Sequence, residues 1–381
     1  MDAWIESAAK RIARRAQREL EALVAVSSPS GDPEGCEEAI AVVAALLPEQ
    51  AEVERPPCST PDQAADLYGS VRGTGSRRLL LLGHLDTVIG HHAHRQLERD
   101  GDRLIGSGAV DMKGGVALAL GVLRELAARP EMYAETGLLL VNDEEWRTSE
   151  FAHAERFRSF DACMCFEAGQ LTSDGHEGLV VKRKAAATLR VEARGRSAHS
   201  GSAPEKGRSA LLALASAAQQ VFESSDPHGP EHLTAVPTII RAGEAFNVVP
   251  DAGELICDLR ADSLPALESV LTGLPAESDG VRLRAAMVRA WPGMDTREAT
   301  RPLLAAASKR LGRPVAASER GGASDASHMA ARIPLTVDGF GPRGGGAHTP
   351  DEWISASSLH SRAEVALAVV TALLGGGVNA V

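Results

Sequence analysis

The 381 residues are too many for one ordinary hydrophobic core and predict about two domains. At 44% hydrophobic and 24% charged the chain has globular composition, and with only 3% aromatics the core must rest on Leu, Val, Ile and Ala. A formal net charge of -11 excludes the basic footprint that a nucleic acid or an anionic membrane surface would require, so neither is expected as a partner.

The N-terminal MDAWIESAAKRIARRAQREL reads as a charged amphipathic helix over roughly residues 4–25, without the apolar core of a secretory signal. No apolar run approaches the ~20 residues needed to cross a bilayer. Cys36, Cys58, Cys163, Cys165 and Cys257 are few, odd in number and irregularly spaced, which implies no disulfide framework and a cytoplasmic protein. After the turn-rich SSPSGDPEG a second helix is predicted near 35–47. Strands then alternate with helices. Arg78 to Leu82 leads into GHLDTV, Gly114 to Ala128 is helical, and Thr136 to Val141 runs as a strand into NDEE. This rhythm predicts an α/β fold with a mixed, mostly parallel sheet flanked by helices. In such sheets polar loops gather beyond the carboxyl ends of the strands.

Near Val181 the texture changes. A strand (Ala187 to Ala193), a helix (Gly207 to Ser224), two strands (Thr234 to Arg241, Glu254 to Arg260), a helix (Leu264 to Leu274) and a strand (Val281 to Arg289) follow in turn. The order β-α-β-β-α-β is that of a ferredoxin-like α+β unit. Beyond Trp291 come a helix (Arg301 to Leu311), GGASDASHMA, GPRGGGAHTPDEW and an Ala-rich helix from Ser355. The pattern predicts a discontinuous catalytic domain, residues 1–181 and 292–381, interrupted by an inserted domain at 182–291.

Residues able to carry chemistry fall at strand ends. His84 and Asp86 lie two apart after an apolar strand, where they project to one side, so Asp86 could hold the imidazole while its other nitrogen faces a metal. Asp111, between a Gly-rich loop and a helix, is either an N-cap or a carboxylate bridging two ions. Asp143-Glu144-Glu145 is either a solvated acidic turn or a pair of glutamates divided between metal ligation and proton transfer. Glu167 offers a further oxygen, and His348 sits among glycines that let the backbone pass close to a site. Asp86, Asp111, Glu144, Glu145 and Glu167 in one cleft would repel one another. Two divalent cations would compensate them, and nitrogen and oxygen donors without thiolate suit zinc, with cobalt or manganese as substitutes.

The ordered series SGDPEG, GHLDTV, GSGAVDMKGG, NDEE, FEAG, GRSAHSG, FNVVP, CDLR, ERGGASDAS and GFGPRGGGAHTPDEW spans nearly the whole chain. It resembles the M20 metallopeptidase family, in its glutamate carboxypeptidase (carboxypeptidase G2-like) branch. The resemblance implies a di-zinc exopeptidase-type catalytic domain and an inserted dimerisation (lid) domain, hence a homodimer. It implies that Asp111 bridges two zinc ions, that His84 and Glu167 complete one site and Glu145 and His348 the other, that Asp86 orients His84, and that Glu144 is the general base. By the same resemblance His199 is an oxyanion donor reaching the partner subunit's active site. The resemblance also implies that Asn247 and Arg260 bind substrate, as does a substrate-backbone loop containing Gly321, Gly322 and Ser324. From its residue type alone, Arg260 is either a bidentate carboxylate anchor or a strand-surface charge.

The implied reaction is hydrolysis of an amide to a C-terminal amino acid, glutamate-type, in a small peptide or N-acyl amino acid. The alternative is deacylation of a small N-acylated metabolite. A non-catalytic dimeric binding module of the same fold would be expected to have lost the base or a ligand, and none is missing. The chain departs from the family pattern at Trp146-Arg147-Thr148-Ser149-Glu150, at Lys182-Arg183-Lys184 and at the HHAH of residues 91–94, departures expected to bear on the substrate pocket.

Overall fold

Leu79, Leu80, Leu81 and Leu82 are apolar without alternation and fully buried, the mark of a strand covered on both faces. In the computed structural model, which describes residues 2–375, that strand, Arg78–His84, lies inside a six-stranded mixed sheet. It pairs in parallel with Glu135–Val141 on one side and Ala162–Cys165 on the other, and Thr336–Val337 continues the parallel set. Leu67–Arg72 and Glu52–Glu54 finish the other edge in antiparallel register. Met1 and residues 376–381 of the predicted catalytic segments lie outside the described residues.

This sheet belongs to the first of two compact units, formed by Met1–Lys182, Asp295–Glu319 and Ser324–Val381. Its helices Ala3–Val24, Gly114–Ala127, Arg297–Leu311 and Ser358–Leu374 pack into one apolar core with the strands. Alanines at 363, 366, 368 and 372 let the last helix approach closely enough to be buried almost all round. Asp2 and Asp32 cap the first two helices by accepting the amides of Trp4 and Gly35. The helix expected from Arg301 begins four residues earlier, at Arg297, with Pro302 inside it. Its missing amide removes one hydrogen bond near the N-terminus, and the turn before it still forms.

Because Arg78–His84, Glu135–Val141 and Ala162–Cys165 run the same way, their carboxyl ends emerge along one edge. A smaller sheet joins Gly344–Gly345, Trp353–Ser355, Arg103–Ile105 and Glu98–Asp100 in antiparallel order. The loop between its first two strands carries His348.

The second unit comprises Arg183–Met294 and Arg320–Ala323. Its sheet is antiparallel throughout, in the spatial order Thr234–Ala242, Ala252–Ala261, Ala185–Arg194, Val281–Trp291, with Glu277–Ser278 at the far edge. In chain order that is 2-3-1-4, the ferredoxin-like arrangement that the element order predicts. Leu189, Val191, Leu255, Cys257 and Leu259 alternate inward against the helices Ala210–Glu223 and Leu264–Gly273. Among the described residues, no helix is long and apolar enough to cross a membrane.

Candidate metal centre

His84 is the last residue of its strand and is buried. Its Nδ1 lies 3.0 Å from the Asp86 main-chain oxygen and 3.3 Å from Asp86 Oδ1. Its Nε2 lies 3.2 Å from Asp111 Oδ1 and 3.7 Å from Glu167 Oε1. Asp86 does more than touch the imidazole. Its Oδ1 accepts the Glu144 amide at 3.1 Å, and its Oδ2 accepts the Glu145 amide at 3.1 Å and the Ser30 hydroxyl at 2.7 Å. One buried carboxylate thus ties the first strand end to the turn that carries both glutamates.

Asp111 is not an N-cap. The following helix starts at Gly114 with Lys113 in the capping position. Asp111 sits in the irregular turn Ala109–Lys113 at φ -127 and ψ 88, joined to Met112 by a cis peptide. Its side chain is directed to imidazoles instead, Oδ2 lying 3.2 Å from His348 Nε2. His348 takes left-handed backbone, φ 66, directly after the Gly-rich turn, and its Nε2 is also 3.2 Å from Glu145 Oε2. Ligand atoms of His84, Asp111 and Glu167 lie within 4.8 Å of one another, as do those of Asp111, Glu145 and His348, and those of His84, Glu144 and Glu145.

The electrostatics follow from this crowding. Burial works against charge on His84, but the carboxylates of Asp111 and Asp86 outweigh it and raise its pKa well above the ordinary value. Hydrogen bonds to Asp111 and Glu145 push His348 up to about 10. Burial opposes ionisation of Asp111, yet the two imidazoles hold its carboxyl far below the usual range. Burial raises Glu144 well above a normal glutamate; His84 opposes the rise and Glu167, Asp325 and Glu145 add to it. The flanking carboxylates thus favour the protonated form of both imidazoles, and a divalent ion at the same place would compete with those protons.

Two observations bear on whether a metal fits. Glu145 Oε1 is buried and has no hydrogen-bond donor, a cost that coordination to a cation would remove. The donors are imidazole nitrogen and carboxylate oxygen; burial pushes the nearby Cys36 thiol up to about 12, so it does not compete as a thiolate. The set suits zinc, cobalt or manganese.

The other sequence-predicted residues lie as follows. In the second unit His199 is exposed, and its Nδ1 accepts the amides of Gly201 at 3.1 Å and Ser202 at 3.2 Å, which leaves the neutral ring's proton on Nε2. Asn247 is exposed, its carbonyl accepting the Ser200 amide at 2.9 Å. Arg260 forms a two-point pair with Asp258, at 3.1 and 3.0 Å. Gly321 has open space around it, and the Gly322 carbonyl accepts Arg183 Nη1 at 2.7 Å. In the first unit Ser324 is buried and its hydroxyl donates to Asp338 Oδ2 at 2.7 Å. In the HHAH stretch, His91 bridges Ser27 and Asp32 at 2.9 Å each, and His94 meets the Val24 carbonyl.

Sequence reasoning missed three buried groups. Arg147 pairs with Asp143 at 2.8 Å and with Asp325; an Arg four residues after an Asp was the available signal. Lys113, fully buried, donates to the Val26 carbonyl at 2.8 Å, and burial pushes it down to about 8. Glu352, in the same motif as His348, is the third.

A strand-end cluster of imidazoles and carboxylates sharing one aspartate defines a class of metal-dependent hydrolase sites. The chain belongs to peptidase family M20/M25/M40, whose model matches residues 80–372, and it is a hydrolase of that family. It is 28% identical to carboxypeptidase G2 from Pseudomonas sp. (strain RS-16), over 94% of this chain and 89% of the relative. It is 30% identical to a succinyl-diaminopimelate desuccinylase from Leptothrix cholodnii, over 89% of this chain and 94% of the relative. Among solved structures, a tripeptidase from Staphylococcus aureus superposes with TM-score 0.76 at 20% identity, covering 95% of this chain and 99% of its own. A dinuclear metal-binding M20 peptidase from Bacillus subtilis superposes with TM-score 0.71 at 15% identity, covering 96% and 99%. A metal cofactor is implied by this membership.

Proposed function

We propose that the protein is a two-zinc amidohydrolase that releases a C-terminal amino acid, glutamate-type, from a small peptide or N-acyl amino acid. The observation that carries this reading is the pair of ligand triads, His84–Asp111–Glu167 and Asp111–Glu145–His348, sharing Asp111 with Glu144 buried among them. His84 and Glu167 would hold one ion, Glu145 and His348 the other, and Asp111 both. When bound, the ions would supply Lewis acidity, polarising a carbonyl and acidifying water. Asp86 keeps His84 Nδ1 engaged, so that Nε2 faces Asp111. Glu144 takes a proton from the attacking water and passes it to the leaving nitrogen. A carboxyl whose pKa burial and neighbouring carboxylates raise and His84 lowers is suited to carrying a proton between the two.

His199 is read as a donor to the developing oxyanion in the partner's site, supported by an Nε2 proton that no neighbour in its own turn claims. A homodimer is supported by the edge strand Thr234–Ala242, which exposes Val236, Ile239 and Ile240, and by Leu212 and Phe222, exposed on the helix Ala210–Glu223. Arg260 would exchange Asp258 for a substrate carboxylate, with Asn247, Gly321 and Gly322 around the substrate backbone. Five cysteines, few, odd in number and irregularly spaced, fit a reducing, cytoplasmic setting.

A second reading, deacylation of a small N-acylated metabolite, is favoured by the desuccinylases among the relatives. The test compares kcat/KM of the zinc-reconstituted protein on N-acyl-glutamate, on N-succinyl amines and on N-acetyl amines without a carboxylate. We expect the N-acyl-glutamate to be preferred and chelation to abolish turnover. A preference for the N-succinyl or N-acetyl amines would transfer the assignment to the second reading, and full activity after chelation would refute both.

A further inference from the structure

We infer that Glu352 is a positioning residue that sets the spacing between Asp111 and His348, and with it the affinity for the metal pair. The inference rests on the two-metal reading above. Glu352 is 2% exposed, and its carboxylate accepts backbone amides. Oε1 accepts the amides of Val110 at 2.7 Å and Asp111 at 2.8 Å, and Oε2 accepts that of Gly108 at 3.1 Å. Its main-chain oxygen accepts the Gly106 amide at 2.9 Å. One residue therefore gathers four amides of the turn that ends in Asp111.

The same residue fixes the other ligand. Gly344–Gly345 pairs with Trp353–Ser355, so residues 346–352 form the loop of a hairpin, with His348 near its tip. Glu352 closes that loop through its amide to the Thr349 carbonyl at 3.2 Å. Trp353–Ser355 in turn pairs with Arg103–Ile105, just ahead of the clamped turn. Glu352 thus stands where the two ligand-bearing loops meet. A carboxylate accepting several backbone amides is a strong, geometrically exacting contact. Groups that orient metal ligands in this way typically alter metal affinity ~10–100-fold when changed.

The discriminating variant is Glu352→Gln. Its amide oxygen can keep the Val110 and Asp111 bonds, but its NH2 would face the Gly108 N–H, donor against donor. Zinc titration of the apo-protein by calorimetry should show affinity ~10–100-fold weaker than wild type. The cobalt-loaded form should show an altered visible spectrum, and the rise in thermal midpoint on adding zinc should shrink. A merely structural role would lower the apo and zinc-loaded midpoints equally and leave the spectrum alone. Asp351→Asn, altering an exposed neighbour paired with Arg95, should match wild type in all three measurements. Wild-type-like zinc affinity and spectrum in a folded Glu352→Gln protein would overturn the clamp. Wild type that takes up neither zinc nor cobalt would instead overturn the metallohydrolase reading beneath it.

Discussion

Replacing Arg147 by Met tests whether the acidic cluster behind the candidate site is as dry as the structure makes it. The guanidinium is 1% exposed, pairs with Asp143 Oδ1 at 2.8 Å and with Asp325, and lies 4.7 Å over the Phe151 ring. Asp325 is buried, and its pKa is raised by that burial although Arg147 holds it down. Asp143 cannot turn away, because its Oδ2 accepts both the amide and the hydroxyl of Thr60 at 2.9 and 2.7 Å. Met preserves most of the volume but strands two buried carboxylates. Breaking a buried ion pair from one side costs about 3–5 kcal/mol. At about 2–4 °C per kcal/mol for large domains, that is a fall of roughly 6–20 °C in thermal midpoint. The assay is thermal unfolding at fixed excess zinc, so that metal linkage is the same in every sample. Adding Asp325→Asn to Arg147→Met should recover at least about 1 kcal/mol, since one stranded charge is gone. A single variant within about 1 kcal/mol of wild type, or a double variant less stable than the single, would refute the argument.

Glu144→Gln should retain its full zinc content by elemental analysis while kcat falls ~100–10,000-fold; undiminished hydrolysis would remove Glu144 as the base. Asp66 offers a pH test remote from the proposed ligands. It is fully buried, with Oδ1 on the Asn142 amide at 3.0 Å and Oδ2 2.7 Å from His153 Nε2. Burial, opposed by His153, raises its pKa from 3.8 to about 6. The folded state therefore binds this proton more tightly than the unfolded chain. The Asp66 contribution to stability should fall by up to about 3 kcal/mol as pH rises from about 4 to about 6, and then stay constant. Asp66→Asn cannot ionise, so urea unfolding should show its stability gaining on wild type across that window; a flat difference would contradict the burial argument.

Much of this was legible in the chain. Short apolar runs such as Leu79–Leu82, bounded by turn and polar residues, fit strands covered on both faces, and neighbouring parallel strands end along one edge. The acids and histidines after those runs, His84, Glu144, Glu145 and Glu167, were therefore bound to gather there, and they do. Alternation in Ala185–Arg194 and Ala252–Ala261 likewise specified an open sheet with helices on one face. Asp111 shows the limit. A carboxylate three residues before a helix is equally a cap, and only its irregular backbone and the approach of His348, more than two hundred residues later, turn it toward the imidazoles.

What the sequence by itself determined is the set of elements and which of them end in ionisable residues, because periodicity and chain direction are local properties. What only the tertiary structure decided is the partner of each charge. Arg147 reads along the chain as a bulky, charged departure bearing on the substrate pocket, yet Asp143 and Asp325 hold it as a buried ion pair; Asp86 reads as the companion of His84, yet it also gathers the amides of Glu144 and Glu145. Glu352 reads as one more acid, yet it is saturated by the turn around Asp111. A buried charge is tolerated only where distant segments bring it donors or counter-charge, and no spacing along the chain encodes which segments those are.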